Sequence, residues 1–90
     1  MKIYQTREFD KAVKRIFPNQ KKCLDEAVSA VADNPLIGQQ KKGDLSMVRV
    51  YKFRLLNDPM LLAYSCNAEE PSITLLKLGA HENFYRDLRA

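Results

Sequence analysis

The first third of the chain has the apolar spacing of two amphipathic helices. A weakly alternating segment, 2–5, predicts a short strand, and Thr6 can then cap a helix with apolar residues three and four positions apart. These residues are Phe9, Val13, Ile16 and Phe17. Pro18 is predicted to end that helix and Asn19 to begin a second one, which stops at 33–35. The apolar stripe of the second helix is Cys23, Leu24, Ala27, Val28 and Val31. Because the link is short, we expect an antiparallel helical hairpin.

The rest of the chain predicts a loop, three strands and a last helix. Residues 36–46 contain two glycines and a polar run, which is typical of a loop. The strand-like runs are 47–56, 60–67 and 72–79. Turns are predicted at 57–59 and 68–71, and residues 82–89 have the pattern of a terminal helix. The predicted fold is α+β, with a small antiparallel sheet, the helical hairpin packed on one face, and the order β-α-α-β-β-β-α.

Composition limits the class of protein. The chain has 90 residues, 46% of them hydrophobic and 29% charged, which predicts one globular domain over 1–90. We expect neither a secretory signal nor a membrane segment, because the longest apolar run is only 60–64. Cys23 and Cys66 are interpreted as free thiols of a cytoplasmic protein. One histidine, two scattered cysteines and three separated glycines predict no metal site, phosphate loop or cofactor.

The charge balance points toward an anionic partner. Fifteen Lys and Arg residues stand against eleven Asp and Glu, a net charge of +4. Such a balance favours a nucleic acid, an acidic protein or a membrane surface, although a soluble surface with a positive bias has the same composition. Five basic residues lie close together around the first long strand: Lys41, Lys42, Arg49, Lys52 and Arg54.

Strand alternation divides these basic residues between two faces. Lys52 and Arg54 share one face with Val48 and Val50, while Arg49 lies on the other face with Tyr51 and Phe53. If the helices cover the second face, Lys52 and Arg54 form a positive platform that can follow a phosphate backbone. The alternative is a solvated strand face with protruding cations.

Two residues near the end of the chain could take part in chemistry. His81 follows the last strand and is the side chain expected to titrate near neutral pH, so it could act as a base or an acid. It could equally brace the junction between strand and helix. Tyr85 lies one helical turn further and could stack on an RNA base, or pack the last helix beside Phe84 and Leu88.

The chain resembles toxins of the RelE/ParE superfamily from bacterial type II toxin–antitoxin systems. The stretches that support the resemblance are 34–38, 42–54, 62–64 and 76–88. RelE-type members are ribosome-dependent endoribonucleases that cut mRNA through the RNA's own 2′-hydroxyl, without a metal ion. Lys52 and Arg54 match two basic residues of their active site, whereas a further arginine of the pattern falls on Leu61. His81 matches the catalytic histidine of YafQ-like members, which follows a Gly-x-His motif.

The resemblance implies a site and a set of partners. The implied catalytic residues are Lys52, Arg54, His81 and Tyr85. Further RNA or phosphate contacts would come from Lys41, Lys42, Arg49, Lys77 and Arg86. The implied partners are an antitoxin, the ribosome and mRNA, with operator DNA bound through the antitoxin. Two other functions stay open, a ParE-like poison of DNA gyrase and an inactive relative that only binds its antitoxin.

Overall fold

The computed structural model describes residues 2–41, 47–67 and 69–80. Along these ranges the elements follow the predicted order, with one additional short strand. They are β1 (Lys2–Gln5), α1 (Arg7–Lys14), α2 (Pro18–Asp33), β2 (Gln39–Gln40), β3 (Arg49–Leu55), β4 (Asp58–Asn67) and β5 (Ser72–Gly79). The predicted terminal helix at 82–89 and positions 42–46 of the predicted loop lie outside the described residues.

The strands form one five-stranded sheet in the order β1-β5-β4-β3-β2. The α+β class is confirmed, and β3, β4 and β5 pair antiparallel as predicted. The prediction of a wholly antiparallel sheet is wrong at one edge, because β1 runs parallel to β5. Parallel strands need a long crossover, and here the rest of the chain separates the two strands. The prediction that 39–40 belongs to a loop is also wrong, since β2 pairs with β3.

The two helices meet at different residues from those predicted. Thr6 caps α1 as expected: its hydroxyl accepts the Phe9 amide proton at 3.2 Å and donates to the Leu76 carbonyl at 2.7 Å. However, α1 ends at Lys14, and Pro18 begins α2 instead of ending α1. Proline suits the first position of a helix because the amide that it lacks would have no helical partner there.

Both helices pack on the same face of the sheet. Phe9 from α1 and Leu24 and Val31 from α2 join a buried cluster with Leu62 and Tyr64 of β4. Tyr51 and Phe53 pack against the same cluster, and their rings stack with centroids 6.2 Å apart. The helices therefore cover the Tyr51 and Phe53 side of β3, which is the condition on which the exposed Lys52 and Arg54 face depends.

A second, smaller apolar cluster lies on the opposite face. Val50, Leu61 and Ala63 are buried there, with Val48 and Leu76 packed against them. Because residues alternate along a strand, this cluster and the helix-covered core occupy opposite sides of β3 and β4. The face with Lys52 and Arg54 is therefore partly apolar at its centre.

The β3–β4 hairpin turns one residue earlier than expected. The turn was predicted at 57–59, but Asp58 and Pro59 already belong to β4. Leu56 instead adopts a left-handed conformation with φ of 59°, which reverses the chain directly after β3. Pro59 pairs with Arg54 at the start of its strand, where the missing amide donor is tolerated.

Two smaller expectations also bear on the described residues. Cys23 and Cys66 are both free thiols, as predicted. Within the ranges given above, neither helix has the length and apolar character needed to cross a membrane.

Candidate nucleic-acid interface

Lys52 and Arg54 project from the sheet face that the helices leave uncovered. Both side chains are exposed, whereas Tyr51 and Phe53 turn to the core and Val50 is buried in the small cluster. Two residues along a strand span about 6.5–7 Å, so the two cationic side chains begin that far apart. This arrangement confirms the predicted shared face.

A row of residues crosses the sheet at Lys52. Lys52 is in register with Leu61 of β4, and Leu61 is in register with Gly79, the last residue of β5. Leu61 is only 3% exposed and packs with Val50 and Ala63. The position on which the resemblance places a RelE-type arginine therefore holds a buried apolar side chain next to Lys52.

The two cations of this face differ in their surroundings. The Nη1 atom of Arg54 donates to the carbonyl oxygen of Asn57 at 3.3 Å, which ties the guanidinium to the β3–β4 turn. Lys52 forms no ion pair with a carboxylate of the described residues. The ammonium group of Lys52 is thus the freer of the two to meet an anion, while the bond to Asn57 partly fixes the direction of the Arg54 guanidinium.

Arg49 lies on the opposite side of β3 and binds a loop. Its Nη1 atom donates to the carbonyl oxygen of Gly38 at 2.7 Å and to that of Leu36 at 3.3 Å. These bonds hold the segment between α2 and β2 against the sheet. The structure therefore places Arg49 apart from Lys52 and Arg54, in a contact that fixes the backbone.

Tyr64, which is not among the predicted site residues, completes this loop contact. Its hydroxyl donates to the Pro35 carbonyl at 2.7 Å and accepts the Gly38 amide proton at 2.9 Å. The ring is fully buried, and this burial raises the pKa of Tyr64 above its usual value near 10.0. A tyrosine within an apolar strand signals such a contact, because a buried phenol needs a hydrogen-bond partner. We call Arg49, Tyr64 and the segment 35–38 the loop clamp.

The two remaining candidates that the structure describes lie apart from Lys52 and Arg54. Lys77 approaches α1, where its Nζ atom lies 3.4 Å from Glu8 Oε2. Lys41 is half-buried beside β2, and its amide donates to the Val48 carbonyl at 3.0 Å. The other four candidates lie outside the described residues: Lys42, His81, Tyr85 and Arg86. Among the candidates that the structure describes, only Lys52 and Arg54 share an exposed face.

The chemistry available on this face is cationic. Paired positive side chains can bind a phosphate group and stabilise extra negative charge that develops on it. In the described part of the chain, no group of three or more His, Cys, Asp or Glu side chains could hold a metal ion.

The family comparison covers almost the whole chain. Residues 3–89 match the model of the ParE-like toxins of type II bacterial toxin–antitoxin systems. The chain belongs to this family. The resemblance drawn from the sequence is thereby confirmed, and the protein is a toxin of the RelE/ParE superfamily.

Solved structures of other proteins show the same fold. The toxin–antitoxin complex RelBE of Escherichia coli matches with a TM-score of 0.74 at 16% identity, covering 90% of this chain and 96% of that one. A YoeB/ParE toxin from Agrobacterium tumefaciens matches with a TM-score of 0.71 at 14% identity, covering 90% and 99%. A conserved hypothetical protein from Helicobacter pylori matches with a TM-score of 0.61 at 27% identity, covering 93% and 98%. No curated protein matches in a sequence comparison.

Proposed function

We propose that this ParE-like toxin is an endoribonuclease that cleaves mRNA on the ribosome. The observation that supports the proposal most directly is the exposed pair Lys52 and Arg54 on the sheet face without helices. In the proposed reaction the RNA 2′-oxygen forms a bond to phosphorus and the bond from phosphorus to the 5′-oxygen breaks. A base removes the 2′-hydroxyl proton, and an acid gives a proton to the leaving 5′-oxygen.

Each candidate has a proposed role in this reaction. Lys52 and Arg54 stabilise the extra negative charge on the phosphate. His81 acts as the general acid or base, and Tyr85 stacks on a base near the scissile bond. Support for His81 comes from its sequence position, two residues after Gly79, because Gly79 lies in the same row as Lys52. Further phosphate contacts are proposed for Lys41, Lys42 and Arg86.

We also propose an antitoxin as the protein partner. The family is defined by toxin–antitoxin systems, and the matching RelBE structure is a toxin bound to its antitoxin. An acidic antitoxin segment would complement the Lys52 and Arg54 face and associate quickly with it. The toxin–antitoxin complex would then bind operator DNA through the antitoxin.

Leu61 favours a second candidate function, poisoning of DNA gyrase without catalysis. The row that begins at Lys52 has a buried leucine where the RelE pattern has a cation, so one charge stabiliser is missing. Removing one positioned donor typically slows a reaction by about 10²–10³-fold. A toxin that acts by binding gyrase does not need that charge.

A translation extract separates these functions. The extract is programmed with a defined mRNA and treated with the wild type, Arg54→Ala or His81→Ala, and the message is mapped by primer extension. Lys14→Ala is the matched control, because Lys14 is an exposed cation of α1 away from the proposed site. Cuts on ribosome-bound message that persist in the control and disappear in the two variants would support the nuclease.

A parallel assay tests the competing target. Purified gyrase is supplied with relaxed plasmid, and the toxin is added before supercoiling is measured. Intact mRNA together with inhibited supercoiling would replace the nuclease by a gyrase poison. Intact mRNA, normal supercoiling and retained antitoxin binding would identify an inactive relative.

A further inference from the structure

A groove between α1 and the end of β5 brings together cations from two elements. Its volume is about 270 Å³. The described residues that line it are Glu8, Lys11, Ala12, Arg15, Lys77 and Leu78. Lys11 of α1 and Arg15, the residue that caps the end of α1, are exposed and lie one turn apart, while Lys77 approaches from β5.

The charge in this groove is unbalanced. Among its described lining residues, three cations face one carboxylate, that of Glu8. The Nζ atom of Lys77 lies 3.4 Å from Glu8 Oε2, so this carboxylate already has a cation beside it. Lys11 and Arg15 add two further positive charges at the opening. A concave surface with such an excess attracts an anion that can meet several cations at once.

Helix electrostatics alone does not explain the groove. Cations in the last turn of a helix are stabilised by the helix dipole, which accounts for positive residues on any side of α1. Lys14 lies in that same turn but does not line the groove. The convergence of Lys77 from β5 with Lys11 and Arg15 is a separate feature that depends on the tertiary fold.

We propose that this groove binds the phosphodiester backbone of a nucleic acid, as a second contact separate from Lys52 and Arg54. Leu78 and Ala12 line the groove and also pack against the helix-covered core, so the groove lies on the α1 side of the sheet. Lys52 and Arg54 project from the other side. The toxin therefore contacts two separate stretches of nucleic acid, and binding at the groove requires no cleavage.

The test measures binding to a fluorescein-labelled RNA duplex by fluorescence anisotropy. The duplex is 2′-O-methylated, which removes the nucleophile, so failure of the proposed nuclease activity cannot affect the result. Lys11→Gln with Arg15→Gln is compared with Lys14→Gln with Lys22→Gln, which makes the same change in net charge on exposed helix residues outside the groove. Circular dichroism establishes that all variants are folded.

The salt dependence gives the expected result. Each lost phosphate contact lowers the slope of log affinity against log salt by about 0.7–0.9, so the groove variant should lose about 1.4–1.8. Between about 50 and 200 mM salt, the factor by which RNA affinity falls should then be roughly ten-fold smaller for the groove variant than for the wild type. The control pair should change the slope by much less. Glu8→Gln removes the carboxylate and should strengthen binding about two- to five-fold, which a merely structural role would not do.

Three outcomes would overturn the proposal. Equal losses in the groove variant and its control would show that only net charge matters. Unchanged or weaker RNA binding by Glu8→Gln would show that the groove does not meet the backbone. Unchanged RNA binding by the groove variant, together with lost binding of labelled poly-L-glutamate, would assign the groove to an acidic protein.

Discussion

Tyr64 occupies the space that a side chain on Gly38 would need. A Cβ atom on Gly38 would lie 2.7 Å from the Tyr64 hydroxyl oxygen and 2.9 Å from ring atom Cε1. The same hydroxyl accepts the Gly38 amide proton at 2.9 Å and donates to the Pro35 carbonyl at 2.7 Å. The backbone at 35–38 can therefore approach the Tyr64 ring and bond its hydroxyl only because position 38 is a glycine and position 64 a tyrosine.

Tyr64→Phe should destabilise the protein while leaving its core packed. The ring is retained, but the Gly38 amide and the Pro35 carbonyl lose their contact with the hydroxyl. Leaving buried polar groups without partners costs about 1–3 kcal/mol, and each kcal/mol lowers Tm by roughly 4–8 °C in a domain of this size. Urea and thermal denaturation measure the loss. Tyr4→Phe is the control, because the Tyr4 hydroxyl bonds an exposed carboxylate; an equal loss there would contradict the role of the loop clamp.

Gly38→Ala should also destabilise the protein, by about 1–3 kcal/mol, because the added methyl group collides with the Tyr64 ring. The effect should couple to Tyr64. In a double-mutant cycle with Tyr64→Phe, removing the hydroxyl relieves the shorter contact, so the two losses should sum to more than the double variant shows. Strict additivity of the free energies of unfolding would mean that the two residues act independently.

Stability at alkaline pH should depend on Tyr64. Burial raises its pKa, so the folded state holds the phenol proton more tightly than the unfolded state does. This contribution is complete below the usual value near 10.0 and is lost as pH rises through the folded-state pKa. As pH rises above 10.0, the free energy of unfolding of the wild type should therefore fall more steeply than that of Tyr64→Phe. Parallel curves for the two proteins would contradict the prediction.

The sequence predicted the elements better than the way they join. Spacing alone located both helices and the three long strands, because apolar side chains recur with the period of each element. Pro18 was assigned to the wrong helix because proline suits both the end of one helix and the start of the next. The parallel pairing of β1 with β5 depends on contacts between opposite ends of the chain, which four weakly alternating residues do not encode.

The candidate site was predictable in part, for a similar reason. Alternation along β3 was enough to place Lys52 and Arg54 on one face. Alternation also placed Arg49 on the other face, as the structure has it, but its guanidinium binds the Gly38 and Leu36 carbonyls and not the predicted phosphate. The position of the 35–38 loop decides that role. It cannot be obtained from the alternation of residues along β3 or from the number of basic residues in a segment.

Lys52→Gln should separate catalysis from stability. Lys52 is exposed and has no carboxylate partner among the described residues, so its loss should change the free energy of unfolding by less than about 0.5 kcal/mol. If it stabilises the phosphate during cleavage, the single-turnover rate on ribosome-bound mRNA should fall about 10²–10³-fold. Chemical denaturation and primer extension measure the two quantities on the same preparation.

Arg54→Gln provides the internal contrast. Arg54 donates to the Asn57 carbonyl, so this variant should lose about 0.5–1.5 kcal/mol of stability in addition to activity. Lys14→Gln, on the exposed part of α1, should preserve both quantities. Wild-type cleavage by Lys52→Gln would remove this residue from the proposed active site. If cleavage fell only in Arg54→Gln, and in proportion to its unfolded fraction, the loss would reflect stability and the cationic face would have no catalytic role.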